Sequence, residues 1–116
     1  MSCLFNSLNY FIKEGSYEIR QKICDYLQND GQIMDGLDTN EILEMENPNY
    51  VEDMRNTNVW GGAIEIQAAC NIWNMRIIVI NRRNQPNTNI EFLPVNNHYD
   101  KTIEIEWTGG HYEPIR

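Results

Sequence analysis

Apolar residues recur at helical spacing from the start of the chain. Leu4, Leu8, Phe11 and Ile12 share one face. Gly15 ends that pattern, and Ser16 is placed to cap a second helix. This helix carries Ile19, Ile23, Tyr26 and Leu27 on one face, and Asn29-Asp30-Gly31 closes it. The signal weakens between Gly31 and Asn49. There Asp38 or Thr39 can cap a short helix reaching Met45, and Pro48 breaks it. Tyr50 to Asn56 reads as another short helix. Trp60-Gly61-Gly62 forms a turn, its glycines permitting a tight entry into a helix over Ala63 to Asn74. That helix offers Ile64, Ala68 and Trp73 for burial, and Trp60 is expected to anchor the turn in the core.

Strand patterns follow. Arg76 to Arg82 contains Ile77-Ile78-Val79-Ile80, apolar on both faces as in a central strand. Asn84 to Asn89 is a polar, proline-containing loop, and Ile90 to Val95 a short strand. Thr102 to Trp107 alternates Ile103, Ile105 and Trp107 with polar residues. Thr108-Gly109-Gly110 turns the chain into a last short strand, His111 to Ile115. Helices first and strands later indicate an α+β fold, a small, mainly antiparallel sheet packed by helices. With no internal repeat or long linker, the 116 residues make one domain.

Composition narrows the partners. At 41% hydrophobic and 10% aromatic, the chain has enough apolar material for one modest core, unlike a disordered sequence. Nine basic against 17 acidic residues give a net charge of −8. This argues against nucleic acid and against an anionic membrane, and favours a basic protein partner. Residues 25–53 hold nine Asp or Glu and no Lys or Arg. A solvated acidic face is the first reading of that stretch, with a docking patch as the alternative. Cys3, Cys24 and Cys70 are odd in number and widely spaced, unlike a disulfide framework or a zinc site. They fit a reducing, cytoplasmic setting. No secretory signal and no stretch long enough to cross a membrane as a helix is seen. With two histidines and scattered cysteines, no metal or other cofactor is expected.

Cys3 begins the first predicted helix, where unpaired N–H groups and the positive end of the dipole favour a thiolate. The same amides can stabilise an oxyanion. Alternatively Cys3 is simply a small residue near a terminus. Each histidine opens a His-Tyr-acid triplet, His98-Tyr99-Asp100 or His111-Tyr112-Glu113. On an extended segment residues i and i+2 face one way, so the acid can orient the imidazole. His98 lies in an Asn-rich loop. His111 is framed by a strand and a Gly-Gly turn, which holds it better. Trp60, the following glycines and Glu65, in a first helical turn, read as structural.

Taken in order, these segments resemble the ovarian tumour (OTU) family of cysteine proteases. Cys3-Leu4-Phe5-Asn6-Ser7-Leu8 looks like its nucleophile motif. Ser16 to Leu27 resembles its second helix. Tyr50 to Met54, then Trp60-Gly61-Gly62-Ala63-Ile64-Glu65-Ile66-Gln67-Ala68, is similar to its central signature. Arg76 to Ile80, Thr102 to Trp107 and His111-Tyr112-Glu113-Pro114-Ile115 match the strands that follow and the closing motif.

The resemblance implies a papain-like fold, in the broad sense, over residues 1–116. It implies hydrolysis of the bond after the C-terminal Gly-Gly of ubiquitin or a ubiquitin-like protein. Cys3 would be the nucleophile, His111 its base and acid, and Glu113 the group orienting His111. The Ser2 and Cys3 amides would hold the oxyanion. Tyr112 and Trp107 would wall the cleft, with core packing as the alternative. The acidic stretch would meet ubiquitin's basic face. Two departures are expected to matter. Family members carry Asp-Gly-Asn or Asp-Gly-Asp before the cysteine, so the domain reads as short at its N-terminus, with the amine of Met1 close to Cys3. Glu113 stands where Asp or Asn is more usual. The alternative function is a catalytically weak domain that binds ubiquitin without cleaving it.

Overall fold

The computed structural model describes residues 2–83 and 88–115. Helices α1 (Cys3–Ile12), α2 (Ser16–Gln28), α3 (Thr39–Glu46), α4 (Tyr50–Met54) and α5 (Ala63–Trp73) come first. Strands β1 (Met75–Asn81), β2 (Thr88–Phe92), β3 (Lys101–Trp107) and β4 (Tyr112–Pro114) follow. The amine of Met1 and most of the expected loop from Asn84 lie outside the described residues.

The strands form one sheet in the order β2-β1-β3-β4. β1 is central. It runs antiparallel to β2, with Val79 opposite Ile90, and parallel to β3, with Ile77 opposite Ile103. β4 closes the other edge antiparallel to β3, placing Trp107 opposite Tyr112. The sheet is thus mainly antiparallel with one parallel pairing at its centre. Met75, Ile77 and Val79 are buried on one face of β1, and Ile78 and Ile80 are half-covered on the other.

The core lies between α1, α2, α5 and the sheet. Leu4, Phe5 and Leu8 meet Ile19, Ile23 and Leu27, with Ile66, Ala69, Cys70, Ile77 and Ile105 closing the interior. Each large side chain buried there contributes roughly 1.5–3 kcal/mol.

Several boundaries differ from the sequence expectation, each for a local reason. α1 ends at Ile12 because Lys13 turns left-handed (φ 63°) and donates its amide to Asn9 O. Gly15 (φ 100°) is the N-cap of α2, so Ser16 is already helical and does not cap it. Asp38 caps α3, accepting from the Asn40 amide at 2.9 Å, while the Thr39 hydroxyl donates to Gly31 O at 2.7 Å. β2 stops at Phe92, short of Val95, because α5 claims the next backbone groups. Gln67 donates to Leu93 O at 2.6 Å, and the Val95 amide donates to Asn71 Oδ1 at 2.9 Å. In α5 Ala68 is buried as expected, but Ile64 and Trp73 are only half-buried, and Ile66, Ala69 and Cys70 supply the rest of the apolar inner face.

Candidate active site

Cys3 is the first residue of α1 and is half-buried. Ser2 precedes it as N-cap, with φ −111° and ψ 22° and no hydrogen bond from its side chain to the helix. The apolar face of α1 packs on β4 and α2, which brings its first turn beside the closing strand. The chain reaches β4 through a tight turn. Gly109 takes a φ of 106°, and the Thr108 amide donates to His111 O at 3.1 Å. His111 therefore leaves the turn immediately before β4. Its Nε2 lies 3.2 Å from Glu113 Oε1, with the two side chains 55% and 56% exposed. The longer glutamate arm reaches the ring. A cavity of about 350 Å³ is lined by Cys3, Asn6, Ser7, Asn9 and Tyr10 from α1 and by residues 111–114. Cys3, His111 and Glu113 thus share one depression.

Tyr112 lines the same cavity and is half-buried. Burial pushes its phenol up, and negative charge at Cys3 and Glu65 adds to the shift. Trp107 does not line the Cys3 cavity. Its ring stands 6.5 Å from that of Tyr112, and both border a neighbouring apolar cavity of about 150 Å³ with Ile66, Val79, Ile90 and Phe92. Both rings also pack against the core.

The other sulfur and imidazole groups lie elsewhere. His98 is exposed, its amide donating to Asn96 Oδ1 at 2.9 Å, and it does not line the Cys3 cavity. Cys24 and Cys70 are buried in the core, and burial pushes their thiols up to about 11 and about 12. Among the described residues no three His, Cys, Asp or Glu side chains group as metal ligands. None of the described helices is long and apolar enough to cross a membrane.

The central segment supports the site from below. A Cβ at Gly61 would stand 2.7 Å from Leu4 Cδ2 and 3.0 Å from the Phe5 ring. Gly61 therefore lets this segment touch α1, whereas Gly62 has open space. Neither glycine has a positive φ, so the first is needed for packing rather than conformational freedom. Glu65 is 1% exposed. It accepts from the Gly62 amide at 2.7 Å and the Tyr50 hydroxyl at 2.6 Å, closing the start of α5. Burial pushes the Glu65 carboxyl up, with those two bonds pulling against it.

Trp60 departs from expectation. It is 50% exposed instead of sitting in the core. Its ring lies over the turn before His111, within 3.7 Å of a Cβ built at Gly110. A large aromatic beside two glycines reads as an anchor in one dimension, and only the path of the 108–111 turn shows what it covers. Asn6 also lines the Cys3 cavity, and the sequence reading gave it no role of its own. Its place three residues after Cys3 on a helix was the available signal.

A cysteine that opens a helix and a histidine just ahead of an edge strand, on this α+β scaffold, fit the papain-like thiol proteases in the broad sense. A sequence model described as OTU-like cysteine protease matches residues 2–112, and the chain belongs to that family. Ubiquitin thioesterase OTU1 of Xenopus laevis is 26% identical over 121 residues, covering 99% of this chain and 38% of its own length. Ubiquitin thioesterase otu2 of Schizosaccharomyces pombe is 29% identical over 131 residues, covering 98% and 42%. The chain thus spans about two-fifths of these relatives. An ovarian tumour domain solved in complex with ubiquitin superposes with a TM-score of 0.76 at 24% identity, over 97% of this chain and 62% of that one. An OTU deubiquitinase from Wolbachia pipientis wMel, solved bound to ubiquitin, gives 0.69 at 18% identity over 99% and 89%. Both establish the fold.

Proposed function

We propose that the chain is a cysteine-type deubiquitinase, cleaving the peptide or isopeptide bond after the C-terminal Gly-Gly of ubiquitin or a ubiquitin-like protein. The observation that carries this is the shared cavity of Cys3, His111 and Glu113, with the imidazole paired to the carboxylate at 3.2 Å. With Nε2 of His111 engaged by Glu113, Nδ1 is the nitrogen left to exchange a proton. His111 takes the Cys3 proton, and the thiolate attacks the glycine carbonyl carbon. The oxyanion forms near the Ser2 and Cys3 amides. His111 then gives its proton to the departing lysine amine as the C–N bond breaks, leaving a thioester that water hydrolyses. Glu113 holds the ring and stabilises its cation. Tyr112 walls the passage for the glycine tail, and Trp107 supports Tyr112 from the adjoining apolar cavity.

The names of the relatives and the ubiquitin complexes of structural neighbours support ubiquitin as the substrate class. Three free thiols support a reducing, cytoplasmic setting. The test is hydrolysis of a fluorogenic amide at the ubiquitin C-terminus. Wild type and His98→Ala should turn over, while Cys3→Ala and His111→Ala should not. Activity surviving in Cys3→Ala would reject the assigned chemistry. Ubiquitin binding without turnover in the wild type would identify a binding-only domain.

A further inference from the structure

Among the described residues Arg20 is the largest fully buried side chain, at 1% exposed. Burying a guanidinium is costly unless its donors are used, so an apolar residue would serve better if this position only filled the core. The guanidinium instead joins segments that no sheet or helix connects. Nη1 donates to Met54 O at 2.8 Å and lies 3.7 Å from Met54 Sδ. Nη2 reaches the Ser2 hydroxyl at 3.4 Å and Thr57 O at 3.5 Å. The planar group lies 4.2 Å from the Phe5 ring centre, against the first turn of α1.

Ser2 is the telling partner. A serine at an N-cap normally adopts an extended backbone and accepts a first-turn amide with its side chain. Ser2 does neither. Its ψ is 22°, and its hydroxyl makes no bond to the helix. The Asn6 amide donates to Ser2 O at 2.7 Å, so α1 already holds the Ser2–Cys3 peptide, and ψ of Ser2 sets instead where the Ser2 N–H and side chain stand relative to the helix. An extended, capping Ser2 would swing its own N–H, the other proposed oxyanion donor, through a large angle.

We infer that Arg20 is a positioning residue for the proposed hydrolysis: by holding the Ser2 hydroxyl it keeps Ser2 from capping α1 and fixes the Ser2 amide toward the oxyanion. The inference rests on the deubiquitinase reading. Arg20 touches neither substrate nor reacting atoms in this account and acts through Ser2.

The experiment combines Arg20→Met, Arg20→Lys and Ser2→Ala, singly and paired, in the full chain. Its two readouts are steady-state hydrolysis of the fluorogenic ubiquitin amide and amide hydrogen exchange at Leu4 and Phe5. Arg20→Met should lower kcat about tenfold or more with KM within about twofold, as expected for a group acting in the transition state. Adding Ser2→Ala should return part of that loss, because the competing cap is gone. Exchange in the first turn should slow in Arg20→Met and recover in the double variant. Arg20→Lys, which keeps a charge but cannot span both partners, should fall between. Unchanged kcat in a folded variant, a loss confined to KM, or a Ser2→Ala loss that simply adds to the first would each overturn the inference. Should Arg20→Met not fold, a folded Arg20→Lys with wild-type kcat overturns it equally. A wild-type chain that cleaves nothing rejects the deubiquitinase reading instead, and the exchange data then decide the tether alone.

Discussion

Glu113, in β4, reaches back to the ring of His111, two residues earlier and just ahead of the strand, with both side chains more than half exposed. An exposed pair orients a ring but contributes little stability. Glu113→Ala should therefore reduce turnover less than Cys3→Ala, without lowering the melting temperature. Equal losses would make the acid indispensable, and no loss would show that another group orients His111. Glu65 is the opposite case, a buried carboxyl with its proton affinity raised. The sign follows from linkage. Its contribution to stability is full below the ordinary carboxylate value of about 4.3 and is lost as pH rises through the higher folded value. Glu65→Gln keeps an acceptor for the Gly62 amide and removes the titration. Over that window the variant should gain on the wild type in urea unfolding. A pH-independent difference would contradict the account. At this scale the pairing of His111 with Glu113 was legible from the i, i+2 spacing. The burial of Arg20 was not, because a charged residue on a helix reads as solvated until the segments that enclose it are known.

The central turn tests what an element contributes. Gly61 lies against Leu4 and Phe5, while Gly62 faces open space. Gly61→Ala should destabilise by about 1–3 kcal/mol through overpacking, and push α1 away from β4. Gly62→Ala should stay within about 0.5 kcal/mol. Chemical denaturation of the two variants checks this, and equal costs would remove packing as the reason for the glycine. Helical stripes such as Leu4, Leu8 and Ile12 and the alternation of Ile103 and Ile105 made most elements readable. Their ends were less so. β2 stops early because Gln67 and Asn71 of α5 bond the backbone beyond it, a tertiary competition that local pattern does not carry. The polarity of β1 against β3 was hidden for a related reason, since it depends on the path of the connection rather than on residue pattern.

Across the whole molecule the charge is uneven. All nine acidic residues between positions 25 and 53 are exposed, on α2, α3, α4 and the loops joining them. An acidic surface of this kind steers a basic partner through a field that salt screens. KM for a ubiquitin substrate should therefore rise between low and high salt while kcat holds. A salt-independent KM would assign that face to solvation alone. The order of the motifs made the α+β class and the family legible over the whole chain. The resemblance paired Cys3 with His111, but residue pattern did not carry the means, the packing of α1 on β4 that places both on one cavity.

That convergence is tested most directly with ubiquitin bearing an electrophilic C-terminus, read by intact mass and peptide mapping. Cys24 and Cys70 are buried, with thiols pushed up to about 11 and about 12. Thiols so placed are inert. The account predicts one ubiquitin added, at Cys3, absent in Cys3→Ala and slowed in His111→Ala. An adduct at Cys24 or Cys70, or one at Cys3 that forms equally fast without His111, would contradict it.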